Sequence, residues 1–218
     1  MANFYLICGI SGGGKTTLSK KIHKLNPSLK VFDVDEYYAK INGDECIRDN
    51  FFKVWINLYE DLHDSEIKGE DVLLTTNALT VSQRTQFLEW FPTFKHHLLW
   101  VTAPKEKCIE GNNQRKRQVP IDKLFEQWER MEFPNASEKG WDTICQITNC
   151  WDHENYIIFN LKGIIENLII IRKSVDNVND DLISRKELLK HQTIIYDDDG
   201  IGYKVVKVKY IEEAHSIK

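Results

Sequence analysis

The stretch that most constrains this chain is Gly9-Ile10-Ser11-Gly12-Gly13-Gly14-Lys15-Thr16. It fits G-x-x-x-x-G-K-[ST], a phosphate-binding loop that works only where a strand feeds a helix. Both flanks agree with that. Phe4 to Cys8 is an apolar run of strand length, and Leu18, Ile22 and Leu25 recur at helical spacing with Lys20, Lys21 and Lys24 between them. Gly12, Gly13 and Gly14 permit backbone angles that turn successive N–H groups inward. The helix N-terminus adds partial positive charge. Gly9, Ser11, Gly12, Gly13, Gly14, Lys15, Thr16 and Thr17 are therefore the candidate nucleotide-binding set. Lys15 would reach the β- and γ-phosphates of ATP, and the Thr16 hydroxyl would bind Mg²⁺.

Further along, strands and helices alternate. Leu29 to Val34 reads as a second strand ending in Asp33-Val34-Asp35-Glu36, where open α/β sheets place their ligands. Phe51, Trp55, Leu58 and Leu62 mark a long amphipathic helix within 50–67, stopped at Lys68-Gly69. Val72 to Leu74 is a third strand, running into Thr75-Thr76-Asn77. Thr80-Val81-Ser82-Gln83 is a capping box, opening a helix that Pro92 ends. His97 to Val101 and Glu154 to Leu161 read as strands four and five. The pattern predicts an α/β, P-loop NTPase fold: a parallel sheet with helices on both faces. An excursion at about 105–150 carries Asn112 to Pro120 and then a helix through Leu124, Trp128 and Met131, which suits a helical lid. Ile164 to Ile171 reads as a closing helix of a main P-loop domain over 1–174. A polar linker follows at 175–183, then a small α+β appendage at 184–218: a capped helix at Ser184, and a hairpin of Thr193–Tyr196 and Val205–Tyr210 turning at 197–200. Such a tail is too short for its own core, so it is expected to dock on the main domain, a partner or a second copy.

Composition narrows the function classes. The 218 residues carry a net charge of −4, so no global basic field draws the chain to nucleic acid and any such contact needs a local patch. The five cysteines form no C-x-x-C pair and no zinc spacing, which suits reduced thiols in a cytoplasm. No secretory leader is read at the N-terminus, and Ile164 to Ile171 is too short to span a bilayer, so the expectation is a cytoplasmic protein with no membrane contact.

Phosphoryl transfer needs three things besides the loop: a group that orients or deprotonates the acceptor, cationic charge on the transferring phosphoryl, and Mg²⁺. Asp35 is placed for the first, Arg115 and Arg117 for the second. Asp33 faces the same side as Asp35 and is the reserve for base or Mg²⁺ contact. The plainer readings are a helix N-cap for Asp35, a solvated basic run for the arginines, a turn for Thr76 and Asn77, and a surface position for Arg84. Trp55 and Trp128 fall on apolar helix faces, so they read as core before base-stacking platforms, and His96-His97 reads as structural.

With G-I-S-G-G-G-K-T at 9–16, D-E-Y at 35–37, T-N followed by Arg84 at 76–84, N-x-x-R-x-R-x-V-P at 112–120 and a looser G-W-D at 140–142, the chain resembles phage-type 5′-hydroxyl polynucleotide kinases and their small P-loop kinase relatives. The resemblance spans about Asn3 to Leu161. It implies that Asp35 is the base for a 5′-hydroxyl and that Arg115 and Arg117 are lid arginines on ATP, with a DNA or RNA 5′ end as partner. Three positions depart from the pattern: Thr75 where the family usually has an acid, Tyr38 where it often has an arginine, and Gly111 where an arginine commonly opens the lid motif. Tyr38 and the acidic balance favour a rival acceptor, a small molecule, nucleoside or modified base; Thr75 permits a non-catalytic ATP-binding switch or scaffold. Residues 181–189 resemble short segments of phage and prophage proteins, which suggests a phage origin.

Overall fold

The apolar run at the N-terminus forms β1 (Asn3–Gly9), and the glycine loop carries it into α1 (Lys15–Leu25). The computed structural model describes residues 1–149, 156–162, 192–196 and 202–206. Next come β2 (Lys30–Asp33), α2 (Val34–Asn42), α3 (Phe51–Lys68), β3 (Val72–Thr75), α4 (Val81–Trp90) and β4 (Lys95–Thr102). Then follow α5 (Lys105–Asn113), α6 (Ile121–Glu129), β5 (Thr143–Asn149) and β6 (Tyr156–Lys162). The sheet order is β2-β3-β1-β4-β5-β6, and the first five of these strands are parallel. Their carboxyl ends carry the glycine loop, Asp33 and Thr75, so one edge of the sheet collects the candidate residues.

Two expectations on the sheet are corrected. The excursion expected over 105–150 ends earlier, because Thr143–Asn149 is β5, in register with β4 from His97↔Thr143 to Thr102↔Thr148. The strand expected fifth and parallel is sixth and antiparallel, pairing Asn149↔Tyr156. A parallel crossover takes about a dozen residues, and only 150–155 connect β5 to β6. The strand TICQITN hides in the sequence because Thr143 and Asn149 are polar yet buried.

Caps explain the helix starts. Thr80 accepts from Gln83 N, and the Gln83 side chain returns to the Thr80 backbone, as the capping box predicts. Asp33, not Asp35, caps α2: its Oδ1 accepts from Asp35 N at 3.0 Å. Packing on Phe4 gathers Phe87, Phe91 and Phe94, with ring centroids 5.7–6.0 Å away. His97 holds Asn3 Oδ1 and Thr143 Oγ1 at 3.0 and 2.9 Å, a structural role as read.

Arg84 differs from its expected surface position. It is fully buried, forking onto Glu138 at 2.5 and 3.2 Å and donating to the carbonyls of Leu79 and Glu132. A buried charge must be paired this completely, since leaving its partner alone would cost about 3–5 kcal/mol. It therefore staples the segment after α6 and is not free for phosphate.

By contacts the chain divides into two compact units, Met1–Ile165 and Glu166–Lys218. Within the second, β7 (Gln192–Tyr196) pairs antiparallel with β8 (Gly202–Val206), so the hairpin's second strand begins earlier than expected. The expected closing helix, linker, capped helix and Asp197-to-Gly200 turn lie outside the described residues. Among the described residues no helix is long and apolar enough to cross a membrane.

Candidate active site

A cleft of about 830 Å³ opens at the carboxyl ends of the strands. Ser11, Gly12, Gly14, Lys15, Thr16 and Thr17 line one side of it, and Asp33, Asp35, Arg115 and Arg117 line it too. Gly9 and Gly13 stay behind this wall: the Gly9 carbonyl accepts from Lys15 Nζ, and the Gly13 carbonyl from Asn149 Nδ2.

The loop is built without slack. Gly14 caps α1 at φ 96° with no side-chain hydrogen bond, so the first-turn N–H groups stay available to an anion. A Cβ on Gly14 would lie 2.4 Å from Asn149 Nδ2, and one on Gly12, at φ 78°, would lie 2.0 Å from the Cys108 carbonyl oxygen. Lys15 Nζ donates to the carbonyls of Gly9 and Ile10, each at 2.9 Å. Burial, and then the nearby Arg115 charge, lower its pKa to about 8. Ser11 N donates to Gln127 Oε1 of α6 at 3.0 Å.

Gly111, one of the departures, has a steric reason. Its Cβ would lie 2.6 Å from the Gly12 carbonyl oxygen, so a larger residue there would push α5 off the loop. Asn112 explains the spacing of N-x-x-R-x-R-x-V-P. Its amide bonds both ways to the Val119 backbone, at 2.8 and 2.9 Å, closing the intervening residues into a loop that projects Arg115 and Arg117.

Those arginines meet Asp35. Arg115 Nη2 donates to Asp35 Oδ2 at 2.9 Å, and Arg117 Nη1 lies 3.5 Å from the same oxygen. Arg48, which sequence reading missed, donates to Oδ1. It sits in a polar loop between α2 and α3, where no local pattern distinguishes it. Burial pushes the Asp35 carboxyl up, but the Arg48 hydrogen bond and the three arginine charges outweigh it, and its pKa falls below the ordinary value. For Asp33 burial dominates, and its pKa rises.

Thr16 Oγ1 donates to Asp33 Oδ2 at 3.4 Å, and the buried Thr75 hydroxyl, level with Asp33 in the sheet, has no partner among the described residues. These oxygens fit a hard divalent cation that keeps much of its own water. Tyr38, Arg48, Phe51 and Trp55 also line the cleft. Trp55 and Trp128 pack against the core, as read, although Trp55 also faces the cleft. Asn77 Nδ2 reaches Ser11 Oγ at 3.4 Å, and Thr76 lines the cleft.

Comparison with known proteins agrees with this architecture. Residues 5–134 match the model of an AAA domain family. No curated protein matches the sequence. Among solved structures, a sugar kinase from Janibacter sp. HTCC2649 is similar at 19% identity and TM-score 0.50, over 68% of this chain and 84% of that one. Kti12 of Chaetomium thermophilum, in complex with ADP-AlF3, is similar at 14% and 0.50, over 83% and 100%. A chain of the Pnkp1/Rnl/Hen1 RNA repair complex is similar at 10% and 0.51, over 61% of this chain and 47% of that one. At such identities the likeness is one of fold. The family match spans more than half of the chain, and the protein belongs to this AAA-domain family of P-loop kinases.

Proposed function

We propose that the protein transfers the γ-phosphoryl group of ATP to a hydroxyl, with the 5′-hydroxyl end of a DNA or RNA strand as the leading acceptor. The observation that carries this reading is the convergence of Asp35 with Arg115 and Arg117 in the cleft lined by the phosphate loop. In the reaction, the loop N–H groups and Lys15 hold the phosphates, and Arg115 and Arg117 spread the charge that builds on the transferring group. Asp35 accepts the proton of the acceptor hydroxyl; its low basicity is tolerable because a loose transition state asks little of the base. Thr16 and Asp33 would hold Mg²⁺, which when bound offsets phosphate charge. An aromatic and cationic wall of Phe51, Trp55 and Arg48 suits a nucleotide unit of the acceptor.

A second reading, a small-molecule or nucleoside acceptor, is favoured by Glu45 on the cleft wall, whose charge repels a polyanionic strand, and by Tyr38, which offers no cation to a substrate phosphate. Transfer of labelled γ-phosphate to 5′-hydroxyl oligonucleotides against a panel of nucleosides and small hydroxyl compounds separates the two. Lys15→Ala and Asp35→Ala are each expected to cut transfer on the order of 10³-fold. Near-normal turnover in Asp35→Ala would refute its role as base. ATP binding with no transfer to any acceptor would leave a nucleotide-binding switch instead.

A further inference from the structure

The two oxygens of Asp35 are held by different arginines. Oδ1 accepts from Arg48, whereas Oδ2 faces Arg115 and Arg117. These arginines are not equivalent. The Arg48 guanidinium lies 4.1 Å from the centre of the Tyr38 ring, so an aromatic face and a carboxylate fix one planar fork from two directions. Arg115 and Arg117 extend from the closed loop after α5, and both form ion pairs with Asp35. Three cations on one carboxylate leave a surplus of positive charge beside the phosphate loop. A triphosphate carries more charge than one carboxylate and offers several oxygens to planar forks, so it competes for the two arginines of the loop.

We infer that Arg48 is a positioning residue: it keeps Asp35 by Oδ1 and compensates its charge, so that Arg115 and Arg117 can leave Oδ2 for nucleotide phosphates and uncover it for the acceptor hydroxyl. The inference rests on the reading of Asp35 as the base. It gives the departure at Tyr38 a use, since that ring supports the fork. It also gives an order of events, with nucleotide bound before Oδ2 is free.

The test is a double-variant cycle on the full chain, read by calorimetric titration with the non-hydrolysable triphosphate AMP-PNP and Mg²⁺. Asp35→Asn releases the arginines of the loop, and AMP-PNP binds roughly tenfold tighter. Arg48→Ala leaves Asp35 to Arg115 and Arg117, and AMP-PNP binds roughly fivefold weaker. In the Asp35→Asn background, Arg48→Ala then has no effect on this affinity. If Arg48→Ala weakens binding equally in both backgrounds, Arg48 only supports its loop and the inference falls; an unchanged affinity in Arg48→Ala alone also overturns it. Arg48→Lys keeps the charge without the fork, so it restores AMP-PNP affinity while kcat for a 5′-hydroxyl oligonucleotide stays low. Arg48→Met, which keeps a long side chain over Tyr38 but removes the charge, carries the same cycle should Arg48→Ala melt early. Transfer retained in Asp35→Asn with the cycle intact would remove Asp35 as base and leave the arginine exchange standing, so the two failures are distinct.

Discussion

Around Gly12 the cleft leaves no room for one added carbon, since the Cys108 carbonyl oxygen would lie 2.0 Å from it. Elsewhere on the cleft lining, Phe51 is 54% exposed, and Arg48, Arg115 and Arg117 converge on Asp35 through side-chain ends alone. The nucleotide side is thus fixed by backbone: loop carbonyls hold Lys15, α5 rests on the loop through Gly111, and Asn112 closes the turn that carries the arginines. The acceptor side is held by charge, which can be redistributed when a more highly charged ligand arrives. A phosphate cradle fixed by backbone beside a carboxylate held by charge suits the proposed transfer, in which the phosphates are positioned before the acceptor is activated.

That contrast can be broken at both sides, and the largest effects belong to the backbone-built one. Asn112→Ala orphans the buried N–H and carbonyl of Val119, and the expected loss is about 2–4 kcal/mol, with a raised KM for ATP. Chemical denaturation with a steady-state assay checks both. Gly111→Ala forces α5 away from Gly12, with about 1–3 kcal/mol lost and weaker nucleotide binding; full stability in a thermal melt would show that α5 moves at no cost.

A smaller effect is expected with pH. The Lys15 pKa of about 8 lies below the ordinary 10.5, as burial penalises the ammonium. Phosphate binding needs that ammonium, so free protein carries it below pH 8 and must take up a proton above it. Nucleotide affinity is therefore level below pH 8 and falls up to about tenfold per pH unit above it. Calorimetry in buffers of different ionisation enthalpy should register the proton uptake. Smallest of all, Phe51→Ala should change stability by less than about 0.5 kcal/mol and leave nucleotide affinity alone, while raising KM for the acceptor. A nucleotide effect as large as that of Gly111→Ala would mean that the two sides are not separately built.

Legibility in the sequence followed the same division. The glycine loop, the capping box at Thr80 and the Asn112-to-Pro120 motif are local patterns, and each forms a local structure with the spacing its chemistry asks for. Arg84 reads as a surface position from its own neighbours, because its partner, Glu138, lies far along the chain and nothing beside Arg84 announces a buried ion pair. Arg48 escaped notice for the same reason, being joined to Asp35 across α2.

By itself the sequence determined that a strand, a phosphate loop and a helix follow one another, and that two arginines share a turn after α5. Those outcomes depend on backbone freedom at glycine, on capping side chains and on spacing within a few residues. Only the tertiary structure decided that a polar segment, Thr143–Asn149, completes the parallel sheet, that β6 runs the other way, and that Gly111 is required by the Gly12 carbonyl. It alone brought three arginines onto one carboxylate. Strand neighbours, close approach and charge clusters are relations between distant segments, and they exist only once the chain has closed on itself.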